Sequence, residues 1–124
     1  MQHIPGLRLE SSGDIAWRAT RRAGIYWLPL HLDEPGGHGE RRGGGTVLIR
    51  MDPGCGYAAH RHVGAEDVLV LQGSYHDDRG EHRQGEFVHY PPGSSHSPVA
   101  GGDPARAIGP ANPACVLYVV TRDG

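Results

Sequence analysis

Apolar residues in this chain come in short runs separated by glycine, proline and aspartate, and no stretch carries a sustained helical period. The runs Gly24–Leu30, Thr46–Met51, Tyr57–His62, Asp67–Gln72, Glu86–Tyr90 and Cys115–Thr121 are each of strand length, and a further strand is expected to begin at His96. Pro29 marks the first run as an edge strand or a strand end, because proline cannot donate to a ladder. Asp52-Pro53-Gly54 is composed as a turn, and Ser74–Arg83 reads as a hairpin turning at Asp78-Arg79-Gly80. Residues 35–45 and 100–114, dense in glycine or proline, read as two loops. Residues 1–23 show no clear period, and Trp17 is their large anchor, expected to pack on the outside of a sheet. The last run, Cys115–Thr121, is apolar at nearly every position, so it is expected to be buried on both faces or to lie at an interface. Many short strands with turn residues between them, no long amphipathic helix and no internal repeat predict an all-β barrel or sandwich.

Composition sharpens this. The 124 residues provide for one domain over 1–124, and 20 Gly with 10 Pro are poor helix material. A formal net charge of −2, with both signs interspersed, gives no footprint for nucleic acid. No run approaches the roughly 18 apolar residues of a membrane span, and Met1 to Trp17 does not resemble a signal peptide. A soluble cytoplasmic protein is the expectation. Cys55 and Cys115 form no C-x-x-C pair and are expected to be free thiols packed as small apolar residues.

The chemistry concentrates between Gly54 and His96. Residues two apart in a strand share a face, so His60 and His62 can present both imidazoles to one cavity. Gly64 permits a turn that brings Glu66 back toward them, and His96, after the turn Pro91-Pro92-Gly93-Ser94-Ser95, supplies a fourth donor. Three imidazoles and a carboxylate suit one divalent transition metal, with iron and zinc the leading expectations and manganese, nickel and copper also compatible. A closed four-donor site would be structural, and one with open positions catalytic. His3, His31, His38, His76 and His82 are expected to be ordinary surface or hydrogen-bonded residues. His89 and Tyr90 are secondary catalytic candidates, one of which alternation must turn inward, and Tyr57 and Tyr75 are expected to line a wall.

The spacing G-x5-H-x-H-x3-E-x6-G at Gly54, His60, His62, Glu66 and Gly73 resembles the first motif of the cupins. The second motif, G-x5-P-x-G-x2-H, is matched at Gly85, Pro91, Gly93 and His96. Together they span residues 54–73 and 85–96. The family's second motif often ends in Asn four residues after its His, where this chain has Ala100. The runs from Val68 to Tyr75, Asp77-Asp78-Arg79-Gly80 and Pro91–Pro98 are similar to the ChrR-like subgroup, called after the metal-binding C-terminal domain of an anti-sigma factor. The resemblance implies a small single-domain double-stranded β-helix, the jelly-roll barrel, with His60, His62, Glu66 and His96 as metal ligands.

Two functions follow from the resemblance. One is a mononuclear non-haem dioxygenase-type oxidoreductase acting on a small oxygenated molecule, similar to cupins that cleave β-diketones. The other is a non-catalytic metal-containing sensor or ligand-binding module resembling the anti-sigma cupin domain. Glu66 departs from the three-His set usual in the diketone enzymes. The short N-terminal stretch carries no partner-binding segment with its own zinc site, which argues against direct sigma-factor binding. A homodimer is expected, because small cupins leave a flat sheet to be covered and Cys115–Thr121 is so apolar.

Overall fold

The computed structural model describes residues 15–33, 44–58, 60–61 and 63–122, with the backbone alone at 60–61. Most of the loop expected at 35–45, together with His3, His38 and His62, lies outside these residues. Every regular element among the described residues is a strand: β1 (Arg18–Ala19), β2 (Ile25–Leu32), β3 (Gly45–Met51), β4 (His60–Arg61), β5 (Glu66–Gln72), β6 (Ser74–Asp77), β7 (Gly80–Arg83), β8 (Phe87–Tyr90), β9 (Ser95–His96), β10 (Val99–Ala100) and β11 (Cys115–Thr121). They form a six-stranded antiparallel sheet in the order β1-β2-β3-β11-β5-β8, a three-stranded sheet β10-β6-β7 and a two-stranded ladder β4-β9.

The last strand lies at the centre of the large sheet, between β3 and β5. That position explains its composition. Cys115, Leu117 and Val119 face the main core, while Val116 on the other face is fully buried against Leu48. The sheet's two sides are therefore both apolar in its middle. On the inner side Met51, Val68, Val70, Val88 and Tyr90 meet Tyr75 of β6 and Ala100 of β10, so the small sheet closes the core. On the outer side Ile15 and Trp17 pack over Leu48 and Val116, with Leu28, Leu71 and Tyr118 around them. Trp17 thus lies on the outside of the sheet, as expected.

The ladder tolerates Pro29 at an irregularity: pairing of β2 with β3 shifts between Pro29 and His31, so the missing N–H falls at a bulge. The hairpin of β6 and β7 pairs Asp77 with Gly80 across the expected turn. Gly73 joins β5 to β6 with φ of 71°, and a Cβ there would come within 2.8 Å of the Ala114 carbonyl oxygen, so the close approach of the β11 entry requires glycine. Two boundaries differ from expectation. Among the described residues of the first-motif strand expected over 57–62, only β4 is regular, with an isolated bridge from Gly56 to Val99 just before them, and His96 ends a strand rather than beginning one.

The loop at 100–114 is organised by one side chain. Asn112, buried, accepts from the Asp103 N–H through Oδ1 at 2.9 Å and donates through Nδ2 to the carbonyls of Asp103, Arg106 and Ala107.

Candidate metal and ligand site

Alternation fixes which side chains face inward. In β5 the inward set is Glu66, Val68 and Val70; in β8 it is Val88 and Tyr90. Across the two-stranded ladder the backbone of His60 is directly paired with that of His96. Glu66 and His96 thereby reach the wall of one cavity of about 330 Å3, whose other walls include Ile49, Met51, Val68, Leu117 and Val119. Tyr57 and Tyr75 line it as well, as expected.

His96 is buried, and both its ring nitrogens face carboxylates. Nδ1 lies 3.2 Å from Asp77 Oδ2, and Nε2 lies 3.8 Å from Glu66 Oε1. The carboxylate at Asp77 can only accept, so Nδ1 carries the proton in that contact and the Nε2 face is turned to the cavity. Asp77 itself is fully enclosed and collects further donors: Tyr90 OH at 2.5 Å, His82 Nε2 at 2.9 Å and the Arg79 backbone N–H at 3.0 Å. Because the Tyr90 proton goes to Asp77, Tyr75 OH must be the donor in the 2.7 Å contact between the two phenols. The Tyr90 ring also packs on the His96 imidazole, with centroids 4.2 Å apart.

These contacts shift acidities in opposite directions. Burial works against the Asp77 anion, but hydrogen bonds from Tyr90, His82, the Arg79 N–H and His96 outweigh it and hold the carboxyl near 2. Burial, then the neighbouring charge of Asp67, pushes the Glu66 carboxyl up to about 7. Burial and the hydrogen bond to Asp77 raise the Tyr90 phenol far above its ordinary value.

The positions singled out in the sequence are distributed as follows. Glu66 and His96 come together on the cavity wall, with the His60 backbone alongside; the side chain of His60 and all of His62 lie outside the described residues. Among the described residues no cluster of three or more His, Cys, Asp or Glu side chains is arranged to hold a metal. Tyr90 points inward and sits behind His96. His89 points outward, its Nδ1 2.6 Å from Asp67 Oδ1 on the opposite face of the sheet, and Arg122 joins the same carboxylate at 3.0 Å. Sequence reasoning passed over Asp77, although alternation in Ser74-Tyr75-His76-Asp77 places it on the same face as Tyr75. It also passed over Arg22, a lone arginine in a turn with no periodic context, which lines the cavity.

A family model described as the ChrR cupin-like domain matches residues 8–105. The chain belongs to the ChrR cupin-like family. Among solved structures, the complex of Rhodobacter sphaeroides SigE with the anti-sigma ChrR contains a similar chain, at 28% identity and a TM-score of 0.65. The match covers 94% of this chain and 52% of that one, so this chain spans about half the length of that relative. An RmlC-like cupin from Ralstonia eutropha JMP134 is similar at 19% identity, covering 92% of this chain and 67% of that one with a TM-score of 0.65. The polyketide cyclase RemF from Streptomyces resistomycificus is similar at 18% identity, covering 100% and 80% with a TM-score of 0.62. The last two share the fold. No curated protein matches the chain. As a ChrR-like cupin it has the all-β jelly-roll architecture, and no helix among its described residues is long and apolar enough to cross a membrane.

Proposed function

We propose that this ChrR-like cupin holds one divalent transition metal, iron or zinc ahead of manganese, nickel and copper, through His60, His62, Glu66 and His96, and uses it on a small molecule bound in the adjoining cavity. The observation that carries the reading is the pairing of Glu66 and His96. Two donors each about 2.1 Å from one metal can be no more than about 4.2 Å apart, and Nε2 of His96 lies 3.8 Å from Glu66 Oε1 with its other nitrogen fixed by Asp77. A half-buried carboxylate and a buried imidazole whose outer nitrogen is hydrogen-bonded make a pair of donors that fits the metal. The cation also offsets the burial that opposes ionisation of Glu66.

Bound there, the metal would supply Lewis-acid and templating chemistry toward an oxygen-bearing substrate. The chain's own residues do the rest. Asp77 holds the His96 proton at Nδ1, Tyr90 fixes Asp77 and braces the imidazole ring, and the apolar walls exclude water from the bound molecule. Such a cavity beside the donors supports an enzyme of the non-haem dioxygenase type. Likeness to the anti-sigma ChrR supports a second reading, a metal-containing sensor with a protein partner. A homodimer goes with either, since Phe87 on the edge strand β8 is 62% exposed on the outer face.

The test is metal analysis of protein purified without a nickel column, followed by oxygen uptake with diketones and hydroxyketones. One equivalent of metal, lost in the His60→Ala, His62→Ala double variant, is the expected result; full metal in that variant overturns the ligand assignment. Substrate-dependent oxygen uptake favours the enzyme. Metal release or a change of shape on oxidant treatment, without uptake, favours the sensor.

A further inference from the structure

Among the described residues lining the cavity, one arginine has no part in the donor set. Arg22 lies in the turn between β1 and β2 and is exposed, while Met51, Val68 and Val119 on the opposite walls are buried, so Arg22 stands at the rim of an apolar pocket. Its turn is built to hold it. The Thr20 hydroxyl donates to the Ile25 carbonyl at 2.8 Å and accepts from the Arg22 N–H at 3.1 Å, and the Ile25 N–H bonds back to the Arg22 carbonyl at 3.3 Å. The guanidinium carbon is 5.8 Å from the centre of the Tyr57 ring, itself a wall residue.

Arg22 lies over an aromatic ring, as Arg18 does over Trp27 and Arg79 over Tyr90, and not beside a carboxylate. Arg50, Arg83 and Arg122 each pair with a carboxylate at 3.2 Å or less. No carboxylate among the described residues ion-pairs with Arg22, which leaves the donor fork of the guanidinium to a ligand. At about 330 Å3 the cavity is at the small end of ligand pockets, so its occupant is compact.

We infer that the ligand of this cavity is a small amphipathic monocarboxylate, its apolar body against Met51, Val68 and Val119 and its carboxylate on the Arg22 guanidinium. A carboxylate suits the site better than a phosphate, because a single guanidinium matches one planar two-oxygen anion and no second cation lines the pocket among the described residues. This deepens the proposed function by naming the ligand class. It rests on that reading's small-molecule cavity and not on its metal.

The experiment is an NMR titration of chelator-stripped protein with hexanoate, phenylacetate and benzoate, each against its neutral amide, repeated after metal is restored. At least one acid is expected to bind about ten-fold or more tighter than its amide, the margin of a charge-assisted over a neutral hydrogen bond, with shifts at the amides of Met51, Val68 and Val119. Arg22→Gln should erase that preference and Arg22→Lys should keep part of it. Arg21→Gln, one residue away, should leave it unchanged. Equal binding of acid and amide by the stripped protein, a preference that survives Arg22→Gln, or no saturable binding of any acid up to about 10 mM would each overturn the inference. An Arg22-dependent preference in protein that takes up no metal would uphold the inference and refute the metal reading alone.

Discussion

Replacing Asp77 by Asn tests the polar cluster behind His96 while keeping size and shape. The Asp77 carboxylate accepts from Tyr90, His82, His96 and the Arg79 N–H, and its side chain is wholly enclosed. The amide keeps one acceptor oxygen, which can serve the Arg79 N–H and His82. Its NH2 then faces the two groups that had donated to Oδ2. Tyr90 can answer by reversing its hydroxyl, and His96 only by moving its proton from Nδ1 to Nε2. Three side-chain hydrogen bonds lose charge assistance worth about 1 kcal/mol each, about 3 kcal/mol in total. The acidity of Asp77 gives an independent figure. Its carboxyl is held near 2 against an ordinary 3.8, and at about 1.36 kcal/mol per unit that is about 2 kcal/mol. The two agree, and Tm should fall by about 10 °C.

The direction of the pH effect follows. A carboxyl with a lowered folded pKa contributes its stability fully above the unfolded value and loses it as pH falls through the folded value. The gap between wild type and Asp77→Asn should therefore be constant from neutrality down to about pH 4 and close progressively toward pH 2. Thermal unfolding of chelator-stripped protein across this range is the assay, which keeps the result independent of any metal. Stability of the variant within about 0.5 kcal/mol of wild type at pH 7, or a gap that does not narrow in acid, refutes the reasoning. On the metal reading the same variant should bind zinc 10- to 100-fold more weakly, by competition with a chromophoric chelator, because the displaced proton occupies Nε2.

Three further outcomes are expected. Leu48→Ala, at a fully buried position under Trp17 on the outer sheet face, should cost about 3 kcal/mol in denaturant unfolding; a loss below about 1 kcal/mol would show that face to be open to water. Burial pushes the Cys115 thiol up to about 12, so at pH 8.5 it should stay unalkylated by iodoacetamide in the folded protein, as read by mass spectrometry. With its folded pKa above the unfolded 9.0, the same thiol should lower stability as pH rises from about 9 toward 12. Light scattering at micromolar concentration should give a dimer, and a monomer that persists as concentration rises would count against the exposed edge at Phe87 as an interface.

The sequence made most of the fold readable because strand length, turn chemistry and motif spacing all agree. Cys115–Thr121 reads as buried on both faces or lying at an interface, and the first holds: it lies between β3 and β5 with apolar layers on either side. Gly73 reads as a motif glycine, and its positive φ beside Ala114 supplies the reason. What sequence could not give was parity and depth. The alternation of His89 and Tyr90 is visible, but only pairing with β5 turns Tyr90 inward and leaves His89 on Asp67. Asp77 was passed over because a carboxylate next to a turn at Asp78-Arg79-Gly80 looks like turn chemistry. Arg22 was passed over because nothing local distinguishes it from Arg18 and Arg21; only the fold brings its turn to the cavity rim.

The cluster around Asp77 also bears on what this fold is selected to do. A buried set of one carboxylate, two phenols and two imidazoles is a poor way to stabilise a small domain, since well-packed apolar residues of similar volume are often equal or better. Tyr75 and Tyr90 are among the largest fully buried side chains of the core, yet each spends its hydroxyl on this chain of contacts and not on further packing. The chain of donors ends at His96, the one imidazole among the described residues that is buried on the cavity wall. Each link restricts the next: Tyr75 orients Tyr90, Tyr90 and His82 orient Asp77, and Asp77 sets the tautomer and angle of His96. An arrangement of that kind gives up stability for the placement of one ring nitrogen, and Nε2 of His96, facing Glu66, is where the chemistry of this cupin is to be sought.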